Sequence, residues 1–73
     1  MNDMQVLIFK TSVKSHENVS RLTPLLNKLA GDGQWNFALD DCNCILRIAS
    51  GVVKPDKAIN LLSNYGFRCE ELN

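Results

Sequence analysis

The spacing of hydrophobic residues changes repeatedly along this chain of 73 residues, and these changes restrict the folds available to it. A strand places every second side chain on one face, whereas a helix does so at intervals of three or four residues. Four segments have a strand-like composition or alternation: residues 5–11, 35–39, 44–49 and 67–72. Two segments with apolar residues at helical spacing follow Ser15 and Pro55. The sequence therefore predicts the order strand, helix, strand, strand, helix, strand.

The first helix has clear signals at both ends. Ser15 is a suitable N-cap, and Glu17 in the first turn interacts favourably with the helix dipole. Gly31 follows the last apolar residue and is expected to end the helix. Pro24 lies inside this segment and has no N–H for a helical hydrogen bond, so we expect a kink or a local break there. Gly66 is expected to end the second helix with a positive φ.

Two amphipathic helices and four strands must be arranged so that each helix buries its apolar stripe. A four-stranded antiparallel sheet with both helices on one face meets this requirement. This is the ferredoxin-like βαββαβ sandwich, an α+β fold whose usual strand order is 4-1-3-2. The first and third strands are largely apolar and are therefore predicted at the centre of the sheet. We predict a single domain of this kind over residues 1–73.

The charge balance argues against several classes of function. Eight basic and eight acidic residues give a formal net charge of zero, which disfavours nucleic acid or an anionic membrane as the main partner. No apolar run approaches the roughly 20 residues of a membrane span, and no secretory signal is expected. The three cysteines are an odd number, so a disulfide framework is not expected either. We predict a cytoplasmic protein with no membrane insertion and no nucleic-acid partner.

The segment between the first strand and the first helix carries the most informative motif, TSVKSHEN at residues 11–18. Here the chain resembles the heavy-metal-associated domain family, whose metal loop typically reads Met-x-Cys-x-x-Cys. Val13 takes the place of the methionine, and Ser15 and Asn18 take the places of the two cysteines. The match covers nearly the whole chain: residues 6–72, including the hairpin over 35–48 and the pair Gly66-Phe67 before the last strand.

The resemblance implies the ferredoxin-like fold together with a lost activity. Family members bind Cu(I), or divalent zinc or cadmium, through two thiolates, the ligands that soft metals prefer. The hydroxyl of Ser15 and the carboxamide of Asn18 are hard, neutral and weak ligands, so we expect no metal at this loop. The family also docks on partner domains through the metal-loop end, which makes the 11–18 loop end a candidate partner surface.

An alternative is soft-metal binding through ligands that the family does not use. His16 could meet Cys42, Cys44 or Cys69 at one end of the predicted fold, and histidine and cysteine are suitable ligands for zinc and copper. The competing interpretation is structural. Alternation places Cys44 and Cys69 on the helix-facing side of their strands, and free cysteine is commonly buried. His16 is then a solvated residue of the first helical turn.

A second candidate partner surface is the face of the sheet that the helices leave uncovered. Alternation along the first and third strands directs Val6, Ile8 and Ile45 to that face. An uncovered apolar patch often marks a binding surface, here for a partner protein or for a homodimer. Trp35 shares its phase with Phe37, so it is expected to pack in the core rather than to anchor a partner.

No combination of nucleophile, base and orienting group indicates an enzyme. Ser15 is sufficiently explained by helix capping, and no glycine-rich phosphate loop is present. We therefore predict a small, non-enzymatic interaction module with no catalytic residue, no metal site and no cofactor.

Overall fold

The computed structural model describes residues 5–39, 44–50 and 53–72, and it has the element order that the sequence predicts. In chain order the elements are β1 (Gln5–Thr11), α1 (His16–Ala30), β2 (Trp35–Ala38), β3 (Ile45–Ser50), α2 (Pro55–Asn64) and β4 (Cys69–Leu72). The strands form one antiparallel sheet in the order β2-β3-β1-β4, which is the predicted order. The ferredoxin-like α+β fold is therefore confirmed. Among the described residues, neither helix has the length and apolar character that crossing a bilayer requires.

One hydrophobic core lies between the sheet and the two helices. The central strands contribute Phe9 and Leu46, which pair across the ladder and are both fully buried. Leu22 and Leu26 come from α1, and Leu62 comes from α2. Burial of each such side chain stabilises the fold by about 1.5–3 kcal/mol. Because both helices pack on the same face of the sheet, the other face has no helical layer in the part of the chain that is described.

α1 runs without interruption through Pro24, so the local break expected there does not occur. Pro24 cannot donate to the carbonyl of Ser20, but both residues are exposed, so water can bond that carbonyl instead. Leu22 and Leu26, on either side of the proline, are fully buried against the sheet. Packing of the apolar stripe therefore outweighs one missing backbone hydrogen bond.

The start of β3 differs from the prediction. Cys44 precedes β3 and has a φ of 50°, a left-handed conformation that residues other than glycine rarely adopt. The alternation that placed Cys44 on the helix-facing side therefore does not apply to it, although it is buried. The turn predicted at residues 40–43 lies outside the described residues. At the other end of the chain Gly66 has the expected positive φ, 86°.

Thr11, the last residue of β1, connects three strands at one end of the sheet. Its buried hydroxyl donates to the carbonyl of Cys44 at 2.7 Å and accepts from the N–H of Val13 at 3.2 Å. The N–H of Thr11 donates to the same carbonyl at 3.3 Å. On its other side Thr11 pairs with Cys69 of β4. This one side chain therefore holds the left-handed residue before β3 against β1.

Replacing Thr11 by valine preserves the shape of the side chain and removes both hydroxyl hydrogen bonds. We expect Thr11→Val to lower the free energy of unfolding by about 1–3 kcal/mol, because it leaves the N–H of Val13 without its acceptor in a buried place. Urea denaturation, followed by the fluorescence of Trp35, measures this change.

Thr23→Val is the matched control for this measurement. The hydroxyl of Thr23 donates only to the carbonyl of Val19, one turn earlier in α1, at 2.8 Å. Its loss should change the free energy of unfolding by less than about 0.5 kcal/mol. Equal losses in the two variants would show that Thr11 has no special role at the end of the sheet.

Candidate functional site

The loop that resembles a metal site is built as a helix N-terminus. The Oγ of Ser15 accepts a hydrogen bond from the backbone N–H of Asn18 at 3.1 Å, which makes Ser15 the N-cap of α1. Val13, at the methionine position, is fully buried in the core and anchors the loop. Ser15 and Asn18 thus offer a hydroxyl already used as a cap and a carboxamide. These donors do not fit the soft metals that the family carries.

A groove that we call the basic groove lies beside this loop, at the end of the sheet. It is lined by residues from the end of β1, from the loop after it, from the position before β3 and from the start of β4: Lys10, Thr11, Ser12, Lys14, Cys44, Arg68, Cys69 and Glu70. Lysine and arginine supply three of its four charged side chains, and all four are exposed. The groove therefore presents an excess of positive charge to solvent.

Two reciprocal hydrogen bonds hold the walls of the basic groove together. The N–H of Ser12 donates to the carbonyl of Arg68 at 3.1 Å, and the N–H of Arg68 donates to the Oγ of Ser12 at 2.8 Å. These bonds continue the β1–β4 ladder by one residue pair beyond the pairing of Thr11 with Cys69. The backbone that presents the cations is thus fixed by the sheet.

Cys44 and Cys69 line the basic groove on opposite sides of Thr11. Two ladder spacings place their backbones about 9–10 Å apart, more than the roughly 7 Å across which a disulfide forms without backbone movement. Burial raises the pKa of the Cys69 thiol to about 12, so this thiol is protonated at neutral pH. A neutral, desolvated thiol is a poor nucleophile, which favours a packing role for Cys69.

A second groove, the β2 groove, lies between the start of α1 and the edge strand β2. Its lining residues are His16, Val19, Trp35, Asn36, Phe37 and Leu39. The indole N–H of Trp35 donates to Oδ1 of Asn27 at 2.8 Å, and the rings of Trp35 and Phe37 meet edge to face with centroids 6.0 Å apart. Both rings pack against the core, as their alternation predicts, and both remain partly exposed.

The residues considered as alternative metal ligands lie in two separate places. His16 lines the β2 groove, whereas Cys44 and Cys69 line the basic groove. Cys42 lies outside the described residues. Within residues 5–39, 44–50 and 53–72, no group of three or more histidine, cysteine, aspartate or glutamate side chains is arranged to hold a metal ion.

The open face of the sheet is less apolar than the sequence predicts. Val6 is 60% exposed, but Ile45 is only 7% exposed, so its assignment to an uncovered patch is wrong. Ile45 lies between Lys10 of β1 and Ala38 of β2 in the ladder. Cross-strand neighbours flank it on both sides, which alternation along a single strand does not reveal.

The exposed apolar part of this face lies nearer the β4 edge. Ile8 is half-buried and pairs directly with Leu72, which is 40% exposed. Leu72 is absent from the predicted patch because only the β1–β4 register places it beside Ile8. The open face therefore carries a small patch of Val6, Ile8 and Leu72, without the contribution expected from Ile45.

The basic groove is not apparent from the sequence because its cations are distant in the chain. Lys10 directly precedes the 11–18 segment and Lys14 lies within it, whereas Arg68 precedes β4. The pairing of Ser12 with Arg68 brings them together. Two lysines, one just before the candidate docking loop and one within it, are the signal that the sequence offers.

Comparisons of the chain with models of known protein families, with curated proteins and with solved structures found no match. Any functional proposal therefore depends on the geometry of the site and on the resemblance of its loop to heavy-metal-associated domains.

The raised pKa of Cys69 predicts a specific loss of stability at alkaline pH. The unfolded chain ionises this thiol near its ordinary pKa of 9.0, whereas the folded protein keeps it protonated up to about 12. Between these values the unfolded state binds fewer protons, so the free energy of unfolding decreases as the pH rises. Below pH 9 the stabilising contribution is fully present.

We expect the wild-type protein to lose more stability than Cys69→Ala between about pH 8 and about pH 10.5. Urea denaturation at both pH values, under reducing conditions, measures the difference. Other groups that titrate in this range contribute to both proteins and cancel in the comparison. A parallel decrease in the two proteins would contradict the burial of the Cys69 thiol.

Proposed function

We propose that this protein is a non-enzymatic interaction module that docks through its basic groove on an acidic surface of a partner protein. The observation that carries the proposal is the convergence of Lys10, Lys14 and Arg68 on one groove beside the β1–α1 loop. Heavy-metal-associated domains, which the chain resembles, dock on partner domains through this end of the fold. The basic groove of this chain thus lies at the end of the fold where such domains dock, although the adjoining loop has no thiolate.

The charges of the groove favour an acidic partner. Lys10 lies directly opposite Glu70 in the β1–β4 ladder, so their charges partly compensate each other. Lys14 and Arg68 add two exposed cations to the same groove. Exposed complementary charges chiefly raise association rates and determine specificity. Binding is therefore expected to be fast, weak and strongly dependent on salt.

The backbone beneath these cations supports a docking role because it does not have to reorganise on binding. The hydroxyl of Thr11 ties the residue before β3 to β1, and Ser12 and Arg68 exchange hydrogen bonds across the groove. A surface that is ordered before binding loses less conformational entropy when it meets a partner.

Soft-metal binding through ligands outside the loop is the second candidate function. It is favoured by one observation, that Cys44 and Cys69 line the same groove. Coordination requires thiolates, so a metal would first have to displace the proton of Cys69, whose pKa is about 12. This requirement weakens metal binding at neutral pH. We therefore favour docking on a partner protein over metal binding as the function.

Restoring the family's cysteine pair tests the resemblance on which the docking proposal draws. In a background with the three natural cysteines replaced by serine, Ser15→Cys with Asn18→Cys should bind Cu(I) at the loop, because two thiolates replace the hard donors. The cysteine-free protein without this pair is the control. Competition with a chromogenic Cu(I) chelator under anaerobic, reducing conditions measures binding.

The wild-type protein should bind Cu(I) no more tightly than the cysteine-free control. If the wild-type protein instead retains copper that the control loses, the metal-binding alternative is correct, and Cys42→Ser and His16→Ala identify the ligands. If the restored pair fails to bind copper, the assignment of residues 11–18 to a degenerate metal loop is wrong.

Docking on an acidic surface is tested with a peptide of about ten glutamates as the probe. Amide chemical-shift changes should concentrate at residues 10–14 and 68–70 and should diminish between about 20 and about 200 mM salt. Lys14→Glu should weaken binding several-fold, because it replaces attraction by repulsion in the groove.

Lys57→Glu is the matched control for the charge reversal. Lys57 is an exposed cation on α2 that does not line the basic groove, and its substitution changes the net charge by the same amount. Equal weakening by both variants would mean that the peptide responds to net charge alone, and the docking proposal would fail.

A further inference from the structure

Hydrogen-bond alternation in the β2–β3 ladder shows which backbone groups of β2 face outward. The N–H of Ala49 donates to the carbonyl of Gln34 at 2.7 Å, so these residues form a hydrogen-bonded pair just before β2. Bonded and non-bonded pairs alternate along an antiparallel ladder. Asn36 is therefore bonded to β3, whereas the N–H and C=O groups of Trp35 and Phe37 point away from it.

These outward groups lie on an open edge of the sheet. β2 pairs with β3 alone among the described strands. A strand edge with N–H and C=O groups directed outward is a template for pairing with another strand. The β2 groove runs alongside this edge and adds the partly exposed rings of Trp35 and Phe37.

The two edges of the sheet differ in charge. β4, the opposite edge, carries Glu70 and Glu71, and charged residues at an edge oppose pairing with a further strand. Antiparallel pairing of two β4 strands would bring four carboxylates together. β2 has the sequence WNFA and contains no charged residue. Because the formal net charge of the chain is zero, two copies approach each other without net long-range repulsion.

We infer that two copies of this chain associate by antiparallel pairing of their β2 strands, which joins two four-stranded sheets into one continuous sheet. Trp35 of one copy then lies opposite Phe37 of the other, and these pairs exchange about four backbone hydrogen bonds across the twofold axis. The two Asn36 residues face each other at that axis as a non-bonded pair. The helix-facing rings of both copies form one apolar layer above the joint.

The size of this contact determines its strength. Each β2 strand has four residues, and the adjoining β2 grooves contribute surface from His16, Val19 and Leu39. The total buried area lies at the low end for specific complexes, below about 1,200 Å². The pair is therefore a weak dimer whose population rises with protein concentration.

Charge placed at position 36 tests the pairing register directly. Asn36 is exposed and occupies the twofold axis, so Asn36→Lys and Asn36→Glu each put like charges about 5 Å apart in the dimer. Each variant alone should be monomeric in sedimentation velocity at concentrations where the wild type forms dimers. An equimolar mixture of the two variants should recover the dimer, because lysine then faces glutamate.

Asn60→Lys is the matched control, since Asn60 is an exposed asparagine on α2, away from β2, and it should dimerise like the wild type. Circular dichroism verifies that every variant is folded. A wild type that remains monomeric up to about 1 mM, a dimer that survives Asn36→Lys, or a mixture that stays monomeric would each overturn the inference.

Hydrogen exchange tests the same contact without a substitution. The amides of Trp35 and Phe37 should exchange more slowly as the protein concentration rises, because they become bonded between copies. The amide of Glu71, on the opposite edge of the sheet, should exchange at a constant rate. Slowing at Glu71 in place of Trp35 and Phe37 would assign the interface to β4 and refute pairing through β2. Neither measurement depends on the acidic partner of the basic groove.

Discussion

Both helices bury their apolar stripes on the same face of one small sheet, and this shared burial determines what the rest of the molecule can offer. Phe9 and Leu46, paired at the centre of the sheet, contact a core completed by Leu22, Leu26 and Leu62. A domain of this size has a small margin of stability, about 0.05–0.15 kcal/mol per residue, so loss of one core contact is a large fraction of the total. Among the described residues, no other element covers the second face of the sheet or its two edges.

At the end of the sheet beside the β1–α1 loop, residues that stabilise the fold also form the proposed docking surface. Thr11 holds the left-handed Cys44 in place, and its ladder neighbours Ser12 and Arg68 carry the backbone of the basic groove. In the loop itself Ser15 is used to cap α1, a structural role that a soft-metal site does not need. Residues 11–18 contain no cysteine, and the proposed docking function does not require one.

The two proposed surfaces occupy different parts of the sheet. The basic groove lies at the end of the sheet, where β1 ends and β3 and β4 begin, whereas the inferred pairing uses the edge strand β2, and the groove linings share no residue. A dimer joined through β2 would keep both basic grooves accessible. Two such grooves on one assembly would strengthen attachment to a partner that presents two acidic sites at a matching distance.

Local sequence patterns predicted the helices and strands of this fold. They did not predict which residues surround each side chain in three dimensions. Alternation and helical spacing correctly predicted the strand order and the core packing of Trp35, and residue type correctly predicted the capping role of Ser15. The break expected at Pro24 did not occur, because packing of the surrounding stripe is a tertiary effect. Ile45 is buried although alternation predicts that it is exposed, and its burial is likewise a tertiary property.

Some features of the candidate site also follow from the sequence alone, whereas others depend on the tertiary structure. The sequence by itself determined that a hydroxyl and a carboxamide stand at positions 15 and 18, because donor chemistry is a property of the residue type. It also determined the fold, because helical and strand periodicities are set by local backbone geometry. Only the tertiary structure decided that Arg68 joins Lys10 and Lys14, that Cys44 and Cys69 flank Thr11, and that the backbone groups of Trp35 and Phe37 face outward from β2. These facts depend on which strands pair and in what register, and a few long-range hydrogen bonds and the shared core select that pairing.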